Sequence, residues 1–238
     1  MASDADAVLS LRLPFERVIK EGYKYDDKCL RNEFAVLINY IATSTSSHQV
    51  FLETDSRTGT NSTFLEFLIK SVIYDEVTPN NGPAGTKKFQ LTTKDEDIEL
   101  KKLLLTGVLY LVRDPSNTQA HQTLIDTGFI RAMLMFLDPN TTVPSILRYQ
   151  PAQLKELQIH ILALLTNIIP LIPEHFHQLK GHLVLNNFLQ TYTDYERRIS
   201  SLKAISATSN IDYYKNDFSD LKTGVVETLI SIIRSGRD

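Results

Sequence analysis

Three histidines, His175, His177 and His182, and one thiol, Cys29, are the side chains with the most obvious capacity for chemistry. A structural zinc site needs four ligands in a tetrahedral array, and a catalytic one usually takes three on rigid supports. Cys29 is far from the histidines in sequence, so they are expected to line a solvated turn between helices, with no metal bound. His160 falls within a Leu-rich run and is expected to be packed or hydrogen-bonded there. Lys28 and Arg31 are close enough to Cys29 to activate a thiol if they face it. No base stands in register with them, which makes Cys29 a small, unreactive helix residue. No serine occupies a G-x-S-x-G elbow, and no H-E-x-x-H pair occurs. The run Gly82-Pro83-Ala84-Gly85-Thr86-Lys87-Lys88 lacks the spacing of a phosphate loop and follows no strand. Asn61-Ser62-Thr63 and Asn140-Thr141-Thr142 fit the glycosylation pattern, which matters only in a secreted chain, and are expected to be turn residues. No nucleophile, base and orienting group can be assembled, so no catalytic, cofactor-binding or metal-ligating residue is nominated and no enzyme is expected.

Charge narrows the partners. The 238 residues carry 25 Lys and Arg against 28 Asp and Glu, a net charge of -3, and so lack the basic surface that attracts nucleic acid or anionic lipid. Three basic pairs, Lys87-Lys88, Lys101-Lys102 and Arg197-Arg198, have the charge to touch an acidic partner such as a microtubule. On so balanced a chain they read as solvated positions, useful as test sites. One cysteine rules out an intrachain disulfide and fits a cytosolic setting. Asp4 and Asp6 stand where a secretory signal would carry positive charge. The apolar stretch Ile159 to Ile172, interrupted by His160, Thr166, Asn167 and Pro170, reads as a buried helix rather than a membrane span.

Nearly all apolar spacing is helical. Leu30, Phe34, Leu37, Ile38 and Ile41 form one stripe, expected to face the core, followed by a polar turn at Thr43 to Ser47, a short segment His48 to Leu52 and a helix Phe64 to Tyr74. Thr93 and Glu96 have capping-box spacing ahead of the stripe Leu100, Leu104, Val108 and Leu111. Asp114-Pro115 stops that helix, Asn117 caps a short one, Gly128 breaks it, and Phe129 to Leu137 follows. The same order returns at Leu154, Leu157, Ile161, Leu164 and Ile168, then Glu174 to Leu179, Gly181, and Leu183 to Leu189. Copies are thus expected at 8–76, 94–138 and 152–192, with a partial one at 217–238 marked by Phe218, Leu221, Val225, Leu229 and Ile232, all within one array spanning 1–238. The spacing is 71 residues from Ile41 to Val112 and 57 from Val112 to Ile169, wider than the roughly 40 to 47 of armadillo or HEAT units. Polar insertions at Thr54 to Ser62, Val77 to Thr92, Asp138 to Gln150 and Thr191 to Asn216 account for the excess. Ile199, Leu202 and Ile205 make part of the last one helical. The fold class is all-α, an armadillo/HEAT-like helical repeat solenoid with long polar insertions.

Four motifs carry a resemblance more specific than the superfamily: Leu30-Arg31-Asn32-Glu33, the run Glu96 to Leu104, the turn Leu124-Ile125-Asp126, and QLKELQIHILALLTNIIPLIPEHF ending at Phe176. In this order they resemble the central part of the armadillo-type family of cilia- and flagella-associated protein 69, over roughly Val8 to Tyr192. The resemblance implies a non-catalytic scaffold of motile cilia and flagella. It places that scaffold in the central-pair apparatus of the axoneme, where it is needed to assemble a working flagellum. It implies axonemal or ciliary protein partners in cilium and cytoplasm, with no cofactor, nucleic acid, membrane or small-molecule substrate. Family members are several times longer, so a fragment or shortened product is expected. A soluble cytosolic adaptor that holds a peptide in its groove is the alternative. Armadillo proteins of the nuclear-import type are similar in fold but carry Trp and Asn ladders. This chain has no Trp, and only Asn186 and Asn187 offer amides on the corresponding helices.

Overall fold

Helical periodicity over most of the chain is realised as thirteen α-helices among the residues that the computed structural model describes, 4–21, 25–54, 61–77, 91–209, 211 and 224–235. They are α1 (Asp4–Glu21), α2 (Tyr25–Ala42), α3 (His48–Leu52), α4 (Phe64–Val77), α5 (Asp95–Val112), α6 (Thr118–Asp126) and α7 (Phe129–Leu137). After these come α8 (Pro144–Leu147), α9 (Pro151–Ile168), α10 (Pro173–Gln178), α11 (Gly181–Thr191), α12 (Tyr195–Ser209) and α13 (Val225–Ser235). Among the described residues the sole extended pairing is a single antiparallel bridge between Thr54 and Thr63. The chain has the all-α helical-repeat fold of the expected class. Gly82 to Lys88, Phe218 and Leu221 lie outside the described residues.

Two compact units form, residues 1–129 with 148–150 and residues 130–147 with 151–238. In the first, α2 lies against α5, α1 covers α2, and α4 packs on α5. Phe15, Phe51, Phe64 and Phe67 cluster there, with the Phe51 and Phe64 rings stacked 5.3 Å apart and Phe15 edge-on to Phe64 at 6.2 Å. Aromatic pairs in these geometries add to the free energy of simple burial. Arg12 is buried beside them with its guanidinium engaged: its Nε donates to Glu16 at 2.9 Å and one Nη to the Ser62 carbonyl at 2.7 Å. In the second unit α9 lies against α12, and α11 packs on both α12 and α13. Of the stripe expected on α9, Leu157, Ile161, Leu164 and Ile168 are buried, whereas Leu154, in the first turn, is half-buried. By length and composition the helical stretch Pro151–Leu171 also passes as a membrane span.

Two supposed insertions are structural. Within Thr191 to Asn216, α12 runs for 15 residues and buries Ser201, Ala204, Ile205 and Thr208. Its inner face is built mostly of small and hydroxylated residues, so it carries no continuous stripe of large apolar side chains. Within Asp138 to Gln150, Ile146 and Tyr149 are buried.

A further repeat signature runs through the short helices. A His-Gln pair starts or lies within the short helix of each copy, at His48, His121 and His177. His48 Nε2 donates to the Ala42 carbonyl and His121 Nε2 to the Val112 carbonyl, each at 2.9 Å. Both bonds satisfy carbonyls that the end of a long helix leaves open. In the third copy His177 instead stacks on His182, with ring centroids 5.5 Å apart.

The breaks between helices differ too. Asn117 caps α6 by accepting from the Ala120 N–H, and Gly128 adopts the left-handed conformation at φ +72°. At the equivalent point of the third copy the left-handed residue is Lys180, φ 54°, not Gly181. Gly181 is required for space, since a Cβ there would come within 2.3 Å of the buried Phe176 ring. Lys180→Gly is therefore expected to stabilise the fold by about 1 kcal/mol. Gly181→Ala should destabilise it by about 1 to 3 kcal/mol through overpacking. Urea unfolding of the two variants checks both signs.

Candidate interaction surface

The two faces of α2 are inverted relative to an ordinary amphipathic helix. Its sequence places Lys28, Arg31, Ala35, Ile38 and Ala42 on one side, and these are the buried residues. The opposite side carries Leu30, Phe34, Leu37 and, flanking them, Val36 and Tyr40. Of these, Leu30 is 51% exposed, Val36 48%, Leu37 43% and Tyr40 77%. The expected core stripe of Leu30, Phe34, Leu37, Ile38 and Ile41 is thus corrected: only Ile38 belongs to the buried set, while Phe34 and Ile41 are half-buried.

The cause sits on α5. Asp97 is buried, and its carboxylate takes Lys28 Nζ at 2.9 Å and Arg31 Nη2 at 2.7 Å, together with the Thr92 N–H at 2.9 Å and the Thr92 hydroxyl. Asn32 donates to the Glu96 carbonyl and Asn39 to the Leu103 carbonyl, each at 2.9 Å. Asn39 also occupies the space over Gly107, where a Cβ would meet its Oδ1 at 2.4 Å. Hydrogen bonds from four α2 side chains therefore set the rotation of that helix about its own axis. Burial opposes ionisation of Asp97, but the bonds from Lys28, Thr92 and Arg31 outweigh it and hold the carboxyl below its ordinary value of 3.8. Lys94 precedes α5 without a side-chain cap of its own, and Asp97 of the first turn reaches back to accept from the Thr92 N–H.

With its polar side engaged, α2 presents an apolar depression of about 530 Å³ lined by Leu30, Glu33, Phe34, Val36, Leu37 and Tyr40. An exposed apolar patch with a polar rim is the usual mark of a contact surface.

The other candidates divide. Lys101 is not a solvated cation: it is buried, with Nζ 2.8 Å from Glu76 and 5.9 Å from the Tyr149 ring centroid. Lys102 pairs with Glu99 at 2.7 Å on the half-exposed side of α5. Arg197 is engaged within its unit, ion-paired to Asp194, bonded to Gln158 at 3.2 Å and 3.8 Å above the Tyr192 ring. Arg198 lines a cavity of mixed polarity of about 380 Å³ with Leu189, Gln190, Thr228 and Ile232. Lys87 and Lys88 lie outside the described residues. Asn186 is buried, Asn187 half-buried. Cys29 is exposed, and both neighbouring cations are turned toward Asp97. Burial holds the His175 imidazole below its ordinary pKa, and His160 is half-buried. Among the described residues no three His, Cys, Asp or Glu side chains converge as metal ligands.

Residues 2–216 match the family model for cilia- and flagella-associated protein 69, ARM repeat. Cilia- and flagella-associated protein 69 of Homo sapiens is 27% identical over 188 residues, 79% of this chain and 18% of that protein. The proteins of that name from Papio anubis and Mus musculus are each 27% identical over the same shares. The chain thus spans about a fifth of the length of these relatives.

Asp97→Asn leaves Lys28 and Arg31 buried without their countercharge and is expected to cost about 3 to 5 kcal/mol. Because folding lowers the Asp97 pKa, its contribution is present above the ordinary carboxylate value of 3.8 and is lost as pH falls through the lower folded value. Denaturant titrations from pH 7 down to about pH 3 should show a steeper acid loss in the wild type than in Asp97→Asn. Lys101→Ala should likewise lower stability by about 3 to 5 kcal/mol, since Glu76 keeps a buried charge. A variant that folds as well as wild type and only weakens partner binding would contradict the buried pairing.

Proposed function

The chain belongs to the ARM-repeat family of cilia- and flagella-associated protein 69, and from that membership we propose that it is a non-catalytic protein-interaction module of cilia and flagella. In this reading it is part of a scaffold in the central-pair apparatus of the axoneme, serving flagellum assembly and motility through axonemal protein partners. In the same reading its repeats are the armadillo copies at 8–76, 94–138 and 152–192, with a partial copy at 217–238. The observation that supports an interaction module most directly is the outward face of α2, where apolar side chains remain in solvent although the helix is locked in place from its other side. Helical repeats bury their units against neighbours and leave broad faces for other proteins. The alternative of a peptide-holding adaptor has less support, because Asn186 is buried and cannot present its amide to a ligand backbone.

Tagged chain expressed in ciliated cells and purified at physiological salt tests the proposal. Central-pair proteins should be enriched among those retained. Recovery of soluble cytosolic partners alone would favour the adaptor, and recovery of chaperones alone would remove the module reading for this chain.

A further inference from the structure

We propose that the outward face of α2 docks an amphipathic helix of a partner protein whose apolar ridge is flanked by lysine or arginine. The spacing decides the shape of the occupant. Leu30, Phe34, Leu37 and Ile41 recur at intervals of three and four, so these exposed and half-buried side chains form a ridge inclined along the helix, and a facing helix can seat its own ridge beside it. An extended strand presents side chains with a period of two and would match few of these positions. The rotation of α2 is pinned by Lys28, Arg31, Asn32 and Asn39 on its other side. The apolar face therefore cannot be withdrawn by turning the helix.

Charge decides the chemistry of the occupant. Exposed Glu33 lines the depression itself, and Asp27, also exposed, stands about one turn before Leu30 at the edge of this face. The only bases in the α2 sequence, Lys28 and Arg31, are drawn inward to Asp97. The result is an apolar ridge with an acidic margin that neither base of α2 faces. A helix with basic flanks complements it, which favours both encounter and register. A second copy of this chain would bring two acidic margins together, and an anionic membrane surface would meet the same repulsion.

This inference rests on the reading of the chain as an interaction module, and the two can fail separately. Enrichment of ciliary proteins that Leu37→Asp leaves unchanged would remove the α2 assignment alone.

The direct test uses the 238-residue chain and two synthetic amphipathic peptides of about 20 residues, identical in their leucine ridge and flanked by Lys in one and Glu in the other. Fluorescence anisotropy of the labelled peptides measures affinity. An environment-sensitive dye on Cys29, the only thiol and an exposed one, reports whether binding occurs beside this face. The Lys-flanked peptide should bind at least about tenfold more tightly than the Glu-flanked one, and should perturb the dye. Leu37→Asp should abolish that binding, and Glu33→Lys should invert the preference between peptides. Leu37 is a surface residue, so helix content should be unchanged; if it falls, Tyr40→Glu, at a position 77% exposed, gives the deciding measurement. Absence of binding, equal affinity for the two peptides, or insensitivity to these substitutions overturns the proposal. So does sedimentation showing wild-type dimers that Leu37→Asp dissociates, which would make the occupant a second copy.

Discussion

A buried carboxylate between two buried cations is the constraint on which the first unit depends. Asp97 sits on α5 with Lys28 and Arg31 of α2 closed around it. Removing such charges from water is costly, and their mutual attraction offsets the cost only when the geometry is good and the remaining acceptors are filled. The Thr92 backbone and hydroxyl meet that requirement on the anion. The cluster is thus better understood as a device of orientation than as a large net source of stability. It admits one rotation of α2, and that rotation decides which side chains are core and which are surface.

Turning α2 to bury its leucines would gain about 1.5 to 3 kcal/mol for each large apolar side chain removed from water. It would also strand Asp97 without its partners, a loss of several kcal/mol for a buried charge. It would break the amide bonds from Asn32 and Asn39 as well. The polar side wins because its interactions are concentrated and share one anion. The apolar side is left as unspent contact surface, which is why structure and proposed function meet on this helix.

Elsewhere the same residues do similar work in different ways from copy to copy. His48 and His121 close the ends of long helices by bonding their carbonyls, whereas His177 stacks on His182. Gly128 supplies a left-handed turn, while in the next copy Lys180 takes that conformation and Gly181 yields room to Phe176. Gln158 joins α7, α9 and Arg197 through its amide. A repeat can keep its architecture while exchanging the groups that hold it, because each junction needs only a donor, an acceptor or an absent Cβ in the right place.

Local rules written in the sequence determined the helical class, the order of long and short helices, the Asn117 cap and the Gly128 break. Those features depend on residues close in the chain: apolar spacing, an Asx side chain before a helix, a residue without Cβ after one. Most of the inner stripes of α5 and α9 followed as well, since Leu100, Leu104, Val108 and Leu111 on one helix and Leu157, Ile161, Leu164 and Ile168 on the other recur at helical spacing and are buried. Tertiary structure alone decided which side of α2 is inside, that Lys101 is buried against Glu76, and that Thr191 to Asn216 contributes a packed helix through serine, alanine and threonine. Periodicity gives the angles between side chains around a helix axis but not the direction in which the axis is turned. That direction is chosen by partners distant in sequence, and here Asp97, some seventy residues beyond Lys28, makes the choice.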